Sequence, residues 1–175
     1  MRYLLSLVAI VCAALVADAQ NDPTVPTYDN PVVAIGLVVG DLDASRAFYG
    51  ELLGFRETGG FPIDSSFGRR SGLSDGVPFE VVILQPGGAA AGTQLKLVHF
   101  AEGAGDAGVG PIQSRRGVRY LTLYLDDIAP AVARLRAAGV AFEGETPMTL
   151  GDGRGFALVR DPDGVLVELI GAAAE

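Results

Sequence analysis

The chain has 175 residues, of which 49% are hydrophobic, and this is enough for one domain with a sizeable core. Its 21 acidic residues outnumber its 13 basic ones and give a formal net charge of −8 at pH 7. This balance argues against nucleic acid or anionic lipid as a partner, because both are bound by clustered lysine and arginine. The one cysteine is Cys12, so the chain beyond it has no disulfide, no thiolate metal site and no cysteine nucleophile.

Residues 1–19 have the pattern of a signal peptide. Arg2 supplies a positive start, and the run from Leu4 to Val16 is apolar apart from Ser6. Such a run has the length of a signal-peptide core and falls short of the about 20 residues that cross a bilayer. We therefore predict cleavage after Ala19 and a mature protein that is periplasmic or secreted and has no membrane attachment.

The next segment, 20–30, is polar and carries Pro23 and Pro26. We expect it to be a flexible segment ahead of the folded domain. An alternative is that the leader stays uncleaved as a membrane anchor, in which case this segment is its tether. Lipidation of Cys12 is a weaker alternative, because Val11 is larger than the residue that such processing prefers.

An internal repeat organises the rest of the chain. An apolar strand pattern starting at Ile35 runs into Asp41, and the helical spacing that follows ends at Gly54, where a left-handed cap residue is favoured. The same order of strand, aspartate, helix and glycine recurs from Tyr120 to Gly139. The repeat predicts an α+β fold of two βαβββ modules. A single α+β sheet without internal symmetry is the alternative.

The domain is expected to span residues 31–171, with module one at 31–100, a glycine-rich linker at 101–117 and module two at 118–171. A long loop is expected over 57–78. Turn residues between apolar runs separate the further strands, which we predict at Phe79–Leu84, Gln94–Phe100, Val140–Glu143, Gly155–Arg160 and Val165–Ile170.

Strand alternation predicts which side chains face away from the helices, because residues two apart share a face. Leucines 121, 123 and 125 form the apolar face of their strand. In a curved sheet the opposite face would line a cleft, and the polar residues on it are Lys96, Tyr120, Thr122, Tyr124 and Glu168. A buried, isolated charge is costly, so in a closed cavity the lysine and glutamate should pair or bind a charged group. Solvated strand edges are the alternative.

Two further features have open interpretations. The single histidine, His99, shares the parity of the leucines, so we expect a packed or hydrogen-bonded residue on the helix side rather than a ligand. The segment Phe61–Pro78 is long enough to be a lid, and Arg69 or Arg70 would then bind an anionic group. A surface loop with solvated arginines is the alternative.

Several motifs resemble those of the vicinal oxygen chelate superfamily, which includes glyoxalase I, extradiol ring-cleaving dioxygenases and bleomycin resistance proteins. The motifs are Asp41-Leu-Asp-Ala-Ser45, Phe48-Tyr49, Leu53-Gly54-Phe55, Asp161-Pro-Asp-Gly164 and Glu168-Leu-Ile170. The resemblance covers residues 31–171. It implies a glyoxalase-like fold in which two βαβββ modules form a curved mixed sheet around a cleft. Because members exchange halves between subunits, it leaves both a monomer and a homodimer open.

The resemblance also implies where a catalytic metal would be held. The corresponding positions here are Ala34, Lys96, Tyr120 and Glu168, and only the glutamate is of a ligand type. One carboxylate beside an ammonium does not supply the three protein ligands that a catalytic divalent ion normally needs. We therefore expect no metal cofactor, while a metal held by other residues stays open.

Two functions follow from the resemblance. The first is a small-molecule binding protein without catalytic metal, similar to the bleomycin resistance branch, in which Tyr120 and Tyr124 stack on the ligand while Lys96 and Glu168 recognise charge. The second is a lyase, isomerase or dioxygenase, with Glu168 as the candidate catalytic base and Lys96 or Tyr120 stabilising an oxyanion. A structural or partner-binding role is the third interpretation.

Overall fold

A computed structural model of the chain describes residues 26, 28–30, 32–87, 92–105 and 108–173. The predicted signal peptide and most of the segment 20–30 lie outside the described residues. Residues from Val32 onward form one compact unit. No helix in the described part is long and apolar enough to cross a membrane.

Module one is a four-stranded sheet with two short α-helices. Its elements are β1 (Ala34–Val39), α1 (Leu42–Arg46), a π-helical continuation (Ala47–Leu52), β2 (Phe55–Ile63), α2 (Ser65–Ser71), β3 (Phe79–Pro86) and β4 (Gln94–His99). The strand order is β1-β4-β3-β2, with β1 parallel to β4 and the other neighbours antiparallel.

Module two repeats this plan after a 3₁₀ turn (Ile112–Ser114) in the linker. Its elements are β5 (Tyr120–Asp127), α3 (Ala129–Ala137), β6 (Met148–Thr149), β7 (Arg154–Arg160) and β8 (Leu166–Ala172). The strand order is β5-β8-β7-β6, again with one parallel pair, β5 and β8, at the start. The predicted α+β fold of two modules is confirmed, as two four-stranded mixed sheets.

The helix ends in both modules follow from local chemistry. The Asp41 side chain caps α1 by accepting a 2.9 Å hydrogen bond from the amide of Ala44, and Gly54 has a φ of 77°. Asp127 accepts a 2.7 Å hydrogen bond from the amide of Ala129 at the start of α3, and Gly139 has a φ of 74°. Both glycines therefore stop their helices in the left-handed conformation that glycine adopts without strain.

The core lies between the helices and the helix-facing sides of both sheets. Leu37 and Leu97 of module one, Leu121 and Leu169 of module two, and Leu135 of α3 belong to one buried cluster. Complete burial of each such side chain contributes about 1.5–3 kcal/mol. The alternation predicted for the strands is therefore correct, and the opposite faces carry the candidate ligand residues.

The predicted loop over 57–78 is wrong, because most of it is regular structure. β2 extends to Ile63, although it contains two glycines and Pro62. Proline is tolerated there because β2 is at the edge of the sheet, where β3 is its one neighbour among the described strands. Gly60 permits close strand contact, since an added Cβ would lie 2.6 Å from the carbonyl oxygen of Val81.

The same segment contains α2. Its first turn is capped by Asp64, whose side chain accepts a 2.8 Å hydrogen bond from the amide of Phe67. Gly72 ends it with a φ of 77°. The local sequence signal for α2 is therefore a capping aspartate and a terminal glycine that enclose seven helical residues.

The predicted strand at Val140–Glu143 is also wrong. Only Phe142 makes a bridge, to Val159, and the edge strand of module two is β6, farther along the chain. Arg136 of α3 lies over the Phe142 ring at 5.5 Å, and the Glu143 carboxylate is engaged by Arg160 at 2.9 Å. Side-chain contacts with α3 and β7 thus hold the segment without a continuous ladder.

Candidate functional site

Lys96 and Glu168 occupy equivalent positions in the two modules. Lys96 pairs in register with Gly36, and Glu168 pairs with Thr122. Gly36 precedes Asp41 by 41 − 36 = 5 residues, and Thr122 precedes Asp127 by 127 − 122 = 5. The repeat therefore places a cation opposite glycine in one module and an anion opposite a hydroxyl in the other, each on the face away from the helices.

Lys96 lies in an open cleft of about 450 Å³ on the face of module one. The ammonium makes no hydrogen bond or ion pair within the described part of the chain, and the side chain is half-buried. It is the one charged residue among the described residues that line this cleft. The other lining residues are Gly36, Val38, Phe61, Ile63, Phe67, Leu73, Phe79, Val81, Val98 and Phe100.

Four phenylalanines form the aromatic wall of the cleft. Phe61 comes from β2, Phe67 from α2 and Phe79 from β3, while Phe100 follows β4. The rings of Phe79 and Phe100 lie 4.9 Å apart at 45°. Phe61 and Phe67 belong to the segment that was expected to be a loop. The sequence feature that could have identified them is the pair of aromatic residues on either side of Asp64, which caps α2.

Thr122 and Glu168 form the polar pair of module two. The Thr122 hydroxyl donates a 2.7 Å hydrogen bond to Oε2 of Glu168, and both side chains are half-buried. Leu158 lies on the other side of Glu168 in the sheet. No ion pair joins Lys96 and Glu168 in the described part of the chain, so the structure does not bring these two charges together.

Tyr120 and Tyr124 flank Thr122 on the same face of β5. Their side chains are exposed, at 46% and 74%. They line a second cavity, of about 440 Å³, whose opposite wall includes Ile35 and Leu95 from the helix-facing side of module one. The two tyrosines are therefore not among the residues that line the cleft of Lys96.

Arg69 and His99 lie outside the cleft. Arg69 donates from Nη2 to the carbonyl oxygen of Asp75 at 3.5 Å, and its guanidinium covers Gly76. His99 lies at the end of β4 with the parity of Leu97, is half-buried, and lines an open groove of about 550 Å³ beside Glu80.

The positions that would hold a metal do not fit a catalytic divalent ion. Of Ala34, Lys96, Tyr120 and Glu168, one supplies a carboxylate and another a positive charge. Within the described residues, no group of three or more His, Cys, Asp or Glu side chains is placed to hold an ion. The absence of a metal cofactor stays a prediction.

The closing motif Asp161-Pro-Asp-Gly164 binds module one. Oδ1 of Asp161 accepts hydrogen bonds from the amides of Asp163 and Val165, and its Oδ2 accepts one from the Tyr49 hydroxyl at 2.8 Å. Asp163 accepts a 2.8 Å hydrogen bond from the amide of Gly40. Burial raises the pKa of the Asp161 carboxyl, although the Tyr49 hydrogen bond acts in the opposite direction. These residues stabilise the fold.

Two such modules, each with an open face away from its helices, define a class of α+β proteins that form pockets on their sheets. The chain belongs to the Glyoxalase/Bleomycin resistance protein/Dioxygenase superfamily, whose model matches residues 32–169. The resemblance seen in the sequence motifs is confirmed. No curated protein matches the chain at a significant level.

Solved structures agree on the fold. A glyoxalase family protein from Bacillus cereus is 22% identical, with a TM-score of 0.67 over 88% of this chain and 99% of that one. The trypanothione-dependent glyoxalase I of Leishmania major is 24% identical, with a TM-score of 0.56 over 79% and 84%. An antibiotic binding protein from Streptomyces sp. CB03234 is also 24% identical, with a TM-score of 0.56 over 84% and 99%.

Proposed function

We propose that this protein is exported and binds a small molecule in the cleft of Lys96 without a catalytic metal. The observation that carries the proposal is a half-buried ammonium group that has no partner within the described residues and lies in a cleft lined otherwise by apolar and aromatic side chains. A volume of about 450 Å³ is within the range of small-molecule sites, roughly 300–1,000 Å³.

The energetics of the cleft favour a bound ligand. A partly desolvated charge without a partner is unfavourable, and Phe61 and Phe67 expose 42% and 45% of their surface. A ligand that supplies a counter-charge and covers these rings removes both the unpaired charge and the exposed apolar surface. Structural similarity to an antibiotic binding protein supports a binding role for this fold.

The donor set argues against metal-dependent catalysis. Lys96 lies where the family resemblance places a metal ligand, and its positive charge repels a divalent cation. Glu168, the one carboxylate of the set, already accepts a hydrogen bond from Thr122. These residues support a site that recognises a ligand by charge and aromatic contact.

A second candidate function is metal-free catalysis with Glu168 as the base. The 2.7 Å hydrogen bond from Thr122 favours it, because this contact fixes the orientation of the carboxylate and leaves Oε1 available to a substrate. A general base needs such an orientation within hydrogen-bond reach of the proton it removes. Glu168→Gln keeps the shape and would abolish turnover while ligand binding at Lys96 persists.

The first experiment measures metal content and ligand-induced stabilisation of the purified protein. The protein is dialysed against Fe, Mn, Ni and Zn in turn, and its melting temperature is then recorded with a panel of aromatic compounds. We expect no stoichiometric metal and stabilisation by some compounds, lost in Gly36→Leu, which fills the cleft. A bound ion near one per chain that disappears in Glu168→Ala would overturn the proposal.

Export is tested on cells that produce the full chain. Fractionation should place the protein in the periplasm or the medium, and N-terminal sequencing should start at Gln20. An intact Met1 on membrane-bound protein would show that the leader is retained as an anchor.

A further inference from the structure

We infer that the ligand of the Lys96 cleft is a flat aromatic acid, with its carboxylate on the lysine ammonium and its ring among the phenylalanines. This inference rests on the proposed function and narrows it to one chemical class. It is carried by three observations: the charge at the cleft, the space above Gly36, and the aromatic wall.

The strands around Lys96 supply no counter-charge. The residues beside it on β1 are Gly36 and Val38, and those on the same face of β3 are Val81 and Ile83. Glu80 has the opposite parity on β3 and pairs with His99. Glu168 is held by Thr122 in the other module. An anionic group of the ligand is therefore the partner that the cleft lacks.

The number of donors selects a carboxylate over a phosphate. A phosphate group carries up to two charges and several acceptor oxygens, and its sites usually combine several N–H donors or an arginine. Within the described lining, Lys96 is the one cationic side chain, and Arg69 is directed onto the backbone at Asp75 and Gly76. One ammonium group matches one monovalent acid.

The space next to Lys96 accommodates a flat ring. Gly36 has no side chain opposite the lysine, and even an added Cβ would meet only Val98, at 3.9 Å. A planar ligand can therefore lie on the sheet over Gly36 with its acid group at the ammonium. The exposed rings of Phe61 and Phe67 are then available for edge or offset contacts with its aromatic system.

The test uses three compounds with one ring system: 2-naphthoate, 2-naphthamide and 2-naphthylmethylammonium. Isothermal titration with the full chain should give about tenfold tighter binding of the acid than of the amide, and the weakest binding for the amine. The preference for the acid should decline as salt is added, because an ion pair at an open cleft is screened.

Variants separate charge from shape. In Lys96→Met, which keeps an unbranched chain, the acid and the amide should bind equally well, and retained amide binding shows that the cleft is folded. Gly36→Leu should weaken all three compounds. Arg70→Met, which removes a neighbouring cation outside the cleft lining, should leave the preference for the acid unchanged.

The outcomes distinguish the two proposals. If none of the three compounds binds, the inference about aromatic acids is overturned, and the wider compound panel decides the small-molecule function of the cleft separately. If they bind with equal affinity, or if the preference for the acid persists in Lys96→Met, the cleft binds ligands but the inference about aromatic acids is wrong. Tighter binding of the amine would also overturn the inference.

Discussion

The hydroxyl of Tyr49 donates a 2.8 Å hydrogen bond to Oδ2 of Asp161, across 112 residues of sequence. Tyr49 is fully buried in the π-helical segment after α1, and Asp161 is 5% exposed at the turn between β7 and β8. Each residue belongs to a motif that identifies the family, and the two motifs meet in one contact between modules. The contact leaves the buried carboxylate with hydrogen-bond donors on both oxygens.

Replacing Tyr49 by phenylalanine should destabilise the protein. The variant keeps the ring packing but leaves Oδ2 of Asp161 buried without a donor, which costs about 1–3 kcal/mol. Urea unfolding measures this difference. The control is Tyr28→Phe, at a tyrosine that is 86% exposed, for which a change within about 0.5 kcal/mol is expected. Equal stability of Tyr49→Phe and the parent would contradict the role of the contact.

The destabilisation by Tyr49→Phe should increase from pH 4 to pH 7. Burial raises the pKa of folded Asp161 above its unfolded value, so its contribution to stability is largest below the unfolded pKa of about 3.9 and falls as pH rises through the folded pKa. The Tyr49 hydrogen bond limits this rise in pKa, so its removal widens the difference between the folded and the unfolded pKa of Asp161. Unfolding curves at both pH values test this. In the Asp161→Asn background, the destabilisation by Tyr49→Phe should be the same at pH 4 and pH 7.

Gly60→Ala should destabilise the edge of module one, whereas Gly59→Ala should not. A Cβ on Gly60 would lie 2.6 Å from the backbone oxygen of Val81, but a Cβ on Gly59 meets nothing within 4 Å. Overpacking against backbone typically costs about 1–3 kcal/mol. The two neighbouring substitutions are compared by thermal unfolding. Similar melting temperatures would show that β2 and β3 are not packed as closely as the structure has them.

Asp64→Ala should loosen α2 and weaken ligand binding in the cleft. Loss of this N-cap costs about 0.5–2 kcal/mol of helix stability, and α2 carries Phe67 of the aromatic wall. Limited proteolysis should cut within Ser65–Ser71 faster, and affinity for the aromatic acid should fall. Asp152→Ala, which alters a turn in module two, is the control. Unchanged affinity would indicate that α2 takes no part in binding.

The sequence predicted those parts of the fold that depend on local chemistry. Strand alternation placed Lys96 and Glu168 on the faces away from the helices, and glycines at 54 and 139 marked two helix ends. β2 was missed because its glycines and Pro62 are typical of a loop, and an edge strand tolerates them only when a neighbour such as β3 is present. Long-range pairing supplies that neighbour, and a local pattern does not contain it.

The same limit applies to the candidate site. The sequence predicted which face of β4 carries Lys96. The aromatic residues around it come from β2, α2, β3 and the end of β4, which meet only in the folded protein. The hydrogen bond between Thr122 and Glu168 joins residues 46 positions apart and depends on the register of β5 against β8. Neither contact follows from spacing along the chain.

Thr122→Val should destabilise the protein by about 0.5–1.5 kcal/mol, because it removes the donor to a half-buried Glu168 while keeping the shape of the side chain. Thr58→Val is the matched control, since that hydroxyl is exposed and lies 3.5 Å from its acceptor. The double variant Thr122→Val/Glu168→Met should lose less than the sum of the single variants, because either single variant already removes the one contact that the two residues share. Additive losses in denaturant unfolding would show that the contact does not contribute to stability.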